Sequence, residues 1–98
     1  MTLEFERQVA NACSRVAFRH GEYVRSRLRN VIWSNRESLQ LTLAQLSSGE
    51  ITPKYFEQAL KDEKHKLLEK MSAETVMNPM QISILITSIL FELAKENI

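Results

Sequence analysis

Cysteine, glycine and proline are scarce in this sequence. Its 98 residues include one cysteine, two glycines and two prolines. The lone cysteine, Cys13, cannot form an internal disulfide, and no secretory signal pattern opens the chain, so we expect a cytoplasmic protein. So little glycine and proline argues against collagen-like and turn-rich β folds, and a hydrophobic content of 44% is too high for a disordered chain. Composition therefore predicts a compact helical fold.

A long apolar run is also missing. The most apolar stretch, residues 80–94, is interrupted by five polar residues and stays short of the roughly 20 residues that a membrane-spanning helix needs. We therefore expect a buried helix there and no membrane partner. A chain of 98 residues buries only roughly 60–65% of its extended surface, which favours a single domain over residues 1–98 and disfavours an enclosed cleft.

Apolar residues recur at three- and four-residue steps along most of the chain. That spacing places them on one side of an α-helix and predicts an all-α fold, a small bundle of about four helices. The predicted helices cover approximately residues 3–20, 22–47, 53–71 and 79–96. Leu39, Leu41 and Leu43 alternate with polar residues as a strand would, but Leu39 and Leu43 also fit the helical pattern and no second strand is available for pairing.

Capping residues predict where these helices begin and end. Thr52-Pro53 and Asn78-Pro79 each place a capping side chain before a proline at the first helical position. Thr2 is the expected N-cap of the first helix, and Ser47-Ser48-Gly49 ends the second. Gly21 is expected to separate the first two helices, and a kinked continuous helix is the alternative.

The last predicted helix has more apolar surface than the others. Its main apolar arc consists of Ile82, Leu85, Ile86, Ile89, Leu90 and Leu93. Met80, Ile84 and Phe91 form a second apolar stripe, so the helix needs cover on at least two sides and is expected to be central in the bundle or shared between subunits. Four helices leave little core to cover the second stripe, which predicts self-association, as a homodimer, through these three residues.

Motifs for cofactors, metals and catalysis are missing. The sequence has no glycine-rich phosphate loop, no Cys-x-x-Cys and no His-Glu-x-x-His, so we expect neither a cofactor nor a metal. Cys13 and His20 lie seven residues apart on one helix face and could form a nucleophile and its base. A buried thiol beside a histidine at the helix end is the commoner arrangement, so the chain is not expected to be an enzyme.

Charge is unevenly distributed, although the formal net charge of the chain is only +1. Residues 1–36 contain all seven arginines and three glutamates, whereas residues 37–98 contain all six lysines and nine acids. At helical spacing, the basic residues and one tryptophan form two rows, Arg15 and Arg19 on the first predicted helix and Arg25, Arg29, Trp33 and Arg36 on the second. Forked arginine donors bind carboxylate or phosphate, and tryptophan anchors contacts. These six residues, called here the arginine rows, are the predicted partner-binding surface.

The arginine rows have a structural alternative. The third predicted helix carries four acids that could pair with them in an antiparallel bundle, Glu57, Asp62, Glu63 and Glu69. Trp33 would equally fit the edge of the core. Exposed arginines would favour a binding surface, and internally paired arginines would favour a structural role.

Two functions fit these features. The first is a small helical protein–protein interaction module, such as a regulator, inhibitor, chaperone or assembly subunit, which docks or self-associates through its last helix. The alternative is a nucleic-acid-binding regulator that uses the arginine-rich N-terminal helices. A net charge of +1 favours the first, because nucleic-acid-binding domains are usually strongly basic.

Overall fold

A computed structural model describes residues 2–97 of the chain and, within them, all side chains except those of Thr2, Leu3, Glu57 and Glu74. The described residues form helices joined by short connections, which confirms the all-α class. In this part of the chain, six helices replace the four predicted ones. They are α1 (Thr2–Val16), α2 (Glu22–Ser34), α3 (Arg36–Ser48), α4 (Pro53–Ala59), α5 (Lys61–Glu74) and α6 (Pro79–Glu96).

The predicted helix 22–47 is wrong as a single element, because it breaks at Asn35 into α2 and α3. The Asn35 carboxamide donates to the Val31 carbonyl at 3.0 Å, so the side chain satisfies a backbone group at the end of α2. Asn35 also occupies the position of the apolar stripe three residues after Ile32 and four before Leu39, where helical spacing calls for an apolar residue. That gap is the sequence signal for the break.

The predicted helix 53–71 is also divided. Leu60 separates α4 from α5, and α5 continues to Glu74, three residues beyond the expected end. The Leu60 amide donates to the Phe56 carbonyl at the end of α4, and the Lys64 amide donates to the Leu60 carbonyl at the start of α5. Leu60 and Phe56 are both buried. The break thus coincides with apolar burial and has no glycine or proline to mark it in the sequence.

A connection at residues 17–21 separates α1 from α2. The first helix therefore ends at Val16, four residues before the predicted end at His20, and it includes Thr2 as its first residue in place of a cap. Gly21 directly precedes α2. The expected separation of the first two helices is confirmed, and the continuous alternative is excluded.

Three further helix ends lie at the predicted residues, although the Thr52 side chain makes no capping hydrogen bond at the start of α4. The Asn78 side chain accepts a hydrogen bond from the Met80 amide at 2.8 Å at the start of α6, which satisfies one of the free amides of its first turn. Gly49 ends α3 with a φ of 85°, a left-handed conformation that glycine adopts without a steric penalty. Both ends were predicted at these residues.

The last helix is the centre of the packing. α6 packs against α1 and α5 and also contacts α3 and α4, while α2 packs against both α1 and α5. Its buried side includes Ile82, Ile86, Ile89 and Leu93, all inaccessible to solvent, and burying each such side chain contributes about 1.5–3 kcal/mol to folding. The central position expected from its wide apolar arc is confirmed. None of the helices in the described residues has the length and apolar content needed to cross a bilayer.

Candidate functional site

One face of α6 is left uncovered by the rest of the chain. Met80 is 72% exposed, Ile84 is 60% exposed and Phe91 is 43% exposed. These three residues, called here the α6 stripe, lie at steps of four and seven, which keeps them on one side of the helix. The residues of the opposite side are buried. The second stripe that the sequence singled out is thus a solvent-facing apolar surface.

The segment of chain that carries the α6 stripe is uncharged. No Asp, Glu, Lys or Arg occurs between residues 75 and 91. Val76 is fully exposed just before α6 begins. Beside the stripe, a shallow apolar dimple between α4 and α6 is lined by Phe56, Thr87, Leu90 and Phe91. An apolar surface of this kind typically marks a protein–protein contact.

The arginine rows differ from the α6 stripe, because several of their side chains bind other residues of the same chain. Arg15 of α1 lies 3.0 Å from a carboxylate oxygen of Glu96 and 3.4 Å from one of Glu92. Both acids are on α6, so the pairs join the first helix to the last. All three side chains remain partly exposed, and such pairs contribute at most about 1 kcal/mol.

Arg25 closes the connection between α1 and α2. Its guanidinium donates to the backbone carbonyls of His20 at 2.6 Å and Phe18 at 3.3 Å, and it pairs with Glu22 at 2.8 Å. These carbonyls follow the end of α1, where no helical amide remains to bond them. Arg25 therefore has a structural role.

Trp33 and Arg36 are also engaged within the chain. The Trp33 ring stacks on Phe5 with centroids 6.1 Å apart and planes inclined by 27°. The Arg36 guanidinium lies 4.9 Å from the Trp33 ring centroid and donates to the Trp33 carbonyl at 3.1 Å. The tryptophan is thus held between a core phenylalanine and a cation, at the edge of the core.

Arg19 and Arg29 complete the rows. Arg19 is exposed, and its guanidinium lies 5.9 Å from the ring centroid of Phe18. Arg29 is half-buried, and its charge lowers the pKa of the Cys13 thiol. Among the described side chains, the members of the arginine rows therefore do not form one continuous exposed cluster. Three members of the rows, Arg15, Arg25 and Arg36, bind elements of their own fold.

Two of the four acids predicted to pair with the arginine rows pair with other residues of α5. Glu63 lies 3.8 Å from Lys66, and Glu69 lies 3.0 Å from His65, all on α5. The carboxylate partners of Arg15 are on α6 and were not foreseen. The predicted partner Glu57 lies outside the described side chains.

Burial makes Cys13 a poor nucleophile. The thiol is buried in the core, and this burial raises its pKa to about 12, despite an opposing effect of the Arg29 charge. Because the thiolate is the reactive species, Cys13 is unreactive near neutral pH. A half-open cavity of about 270 Å³ between α1 and α3 has Gln8, Gln40 and Asn97 at its polar edge, and its described lining includes neither Cys13 nor His20. Within the described residues no group of three acidic, histidine or cysteine side chains is placed to hold a metal ion.

No family model, curated protein sequence or solved structure matches this chain. The function is therefore inferred from the geometry of the described residues.

The sequence analysis missed residues that lie beside the α6 stripe. Phe56 and Thr87 line the dimple beside the α6 stripe, but they come from two helices whose contact is tertiary. Val76 could have been found, because it lies in the same uncharged segment as Met80.

Proposed function

We propose that this chain is a small, non-catalytic protein–protein interaction module that binds its partner, including a second copy of itself, through the α6 stripe. The observation that carries the proposal is the exposure of Met80, Ile84 and Phe91 on the most buried helix of the fold. Large apolar side chains gain about 25 cal/mol for each Å² removed from water. Binding of a partner over the stripe would be stabilised by this free energy, whereas in the isolated chain the stripe stays in water.

The arginine rows support the nucleic-acid alternative less well. Arg25 and Arg36 donate to backbone carbonyls, and Arg15 pairs with two acids. Binding phosphate through these groups would require breaking contacts that hold the fold. The alternative predicts affinity for nucleic acid that falls steeply with salt and disappears when Arg25, Arg29 and Arg36 are replaced together.

Sedimentation analysis of the purified chain and its Ile84→Glu variant tests the proposal. The unaltered chain is expected to associate as its concentration rises into the high micromolar range, and a buried charge at position 84 should weaken that association at least tenfold. Leu41→Glu is the matched control, because Leu41 is equally exposed, on α3, and its replacement should leave association unchanged.

Two results would overturn the proposal. If the chain stays monomeric at high concentration, the α6 stripe does not mediate self-association. If the Ile84→Glu and Leu41→Glu variants weaken association equally, the contact lies elsewhere or is nonspecific.

A further inference from the structure

We infer that the half-open cavity between α1 and α3 binds a small, uncharged aromatic compound that carries an amide group. Its volume of about 270 Å³ is near the lower end of the range for small-molecule sites, about 300–1,000 Å³, so the site suits a compound built on a single ring. None of the described lining residues belongs to the α6 stripe. Ligand binding here is therefore independent of the proposed function, and either can fail without the other.

Part of the cavity lining is apolar and is held in place by the core. Phe5 and Leu43 line the cavity and are only 6% and 3% exposed, and Phe5 is fixed further by stacking on Trp33. Ala44, on α3, is an exposed apolar member of the lining. Its small side chain leaves room for a ring to approach Phe5 and Leu43. Transfer of an aromatic ring from water onto this surface is favourable, because apolar area is removed from water.

The polar part of the lining has hydrogen-bonding groups that the described residues leave without full partners. The carboxamide of the half-buried Gln40 makes no hydrogen bond to another described residue. Gln8 is 8% exposed, and its Nε2 reaches only Glu4, at 3.5 Å, the long limit for a hydrogen bond. Asn97 donates to Gln8 Oε1 at 3.1 Å and to the Leu93 carbonyl at 2.7 Å, but its Oδ1 accepts from no described residue. Buried polar groups normally find partners, and here a ligand can supply them.

The charges around the cavity favour an uncharged ligand. Glu4 is the charged residue of the described lining, and its carboxylate lies 2.6 Å from the Arg7 guanidinium, with which it pairs. A carboxylate or phosphate ligand would find no lysine or arginine among the described lining residues and would lose its hydration without gaining a counter-charge. An amide group offers an N–H donor beside a carbonyl acceptor, which matches the spare donors and acceptors of the glutamine and asparagine side chains.

Titration of the full chain with benzamide, followed by NMR of the side-chain amide groups, tests the inference. Benzamide should shift the amide signals of Gln8, Gln40 and Asn97 along one saturable curve, with a Kd of about 1 mM or lower, as expected for so small a ligand. Benzoate has the same size but carries a charge, and toluene lacks the amide group. Each should bind at least about threefold more weakly than benzamide, because each loses hydrogen bonds to the carboxamides.

Two variants locate the binding site. Ala44→Phe should fill the cavity with its own ring and abolish the benzamide shifts, and Gln40→Leu should weaken binding by about threefold to tenfold. Ala73→Phe and Gln58→Leu are the matched controls, because both residues are exposed on other helices and lie outside the described lining. Neither control should change the affinity. Circular dichroism of all four variants checks that they remain folded.

Three results would overturn the inference. Benzamide that causes no saturable shift up to about 10 mM does not bind the cavity. Shifts that persist in folded Ala44→Phe would place the bound benzamide elsewhere on the chain. If toluene or benzoate binds as tightly as benzamide, or if Gln40→Leu binds as tightly as the unaltered chain, the carboxamides do not recognise the amide group.

Discussion

The arginine rows and the α6 stripe look equally suited to a partner in the sequence, but the fold treats them differently. Arg15, Arg25 and Arg36 reach carboxylates, carbonyls and a ring of their own chain. Met80 and Ile84 remain in solvent on the helix that otherwise supplies much of the core. A long, flexible cation finds intramolecular acceptors easily, whereas an apolar side chain on a fixed helix face cannot move to find cover. The difference supports our proposal that the stripe, and not the arginine rows, binds a partner.

The largest expected effect contrasts the two faces of α6. Ile86 is fully buried and Ile84 is exposed two residues away. Ile86→Ala should lower the free energy of unfolding by about 3 kcal/mol, because it removes methyl groups and leaves a cavity. Ile84→Ala should lower it by less than about 0.5 kcal/mol. Urea denaturation at low micromolar concentration measures both, and equal losses would mean that the chain itself covers Ile84.

An intermediate effect is expected within the arginine rows. Arg25→Gln removes charge-assisted hydrogen bonds to the carbonyls of Phe18 and His20, and it should lower the free energy of unfolding by about 1–2 kcal/mol. Arg19→Gln is the matched control, since it loses only an exposed contact with the Phe18 ring, worth at most about 0.5 kcal/mol. Thermal denaturation of both variants provides the comparison. Similar small losses of unfolding free energy in both variants would mean that Arg25 does not stabilise the fold and is available to bind a partner.

The smallest effect is expected at the link between α1 and α6. Arg15→Gln removes ion pairs with Glu92 and Glu96 that are partly exposed, so it should cost about 0.5–1 kcal/mol at low salt. The loss should nearly vanish at 1 M salt, where charges are screened within about 3 Å. A double-mutant cycle with Glu96→Gln isolates the pair. A cost that persists in high salt would show that Arg15 stabilises the fold through packing.

The fold was predicted well where a feature depends only on residue type and on the spacing of nearby residues. The cap at Asn78, the left-handed end at Gly49 and the central position of α6 follow from residue type and apolar spacing. The break at Asn35 was present as a gap in the apolar stripe and was overlooked, because Leu39 resumes the same face. The break at Leu60 has no comparable signal, since a leucine is an ordinary helix residue.

The candidate site was foreseen in part. The α6 stripe was found by its spacing, but the dimple beside it depends on where α4 meets α6. The arginine rows were found as a pattern, but the acids that pair with Arg15 lie on α6 and not on the predicted third helix. Arg15 binds acids 77 and 81 residues away along the chain, a separation that helical periodicity cannot predict.

Residue type and spacing alone establish the helical class, several of the helix ends and the two faces of α6, because capping and periodicity depend on neighbours within a few turns. Which surface is left without cover depends instead on which helices pack together, and no local pattern contains that information. Packing brings Arg15 to Glu96 and Arg36 over Trp33, while it leaves Ile84 in water.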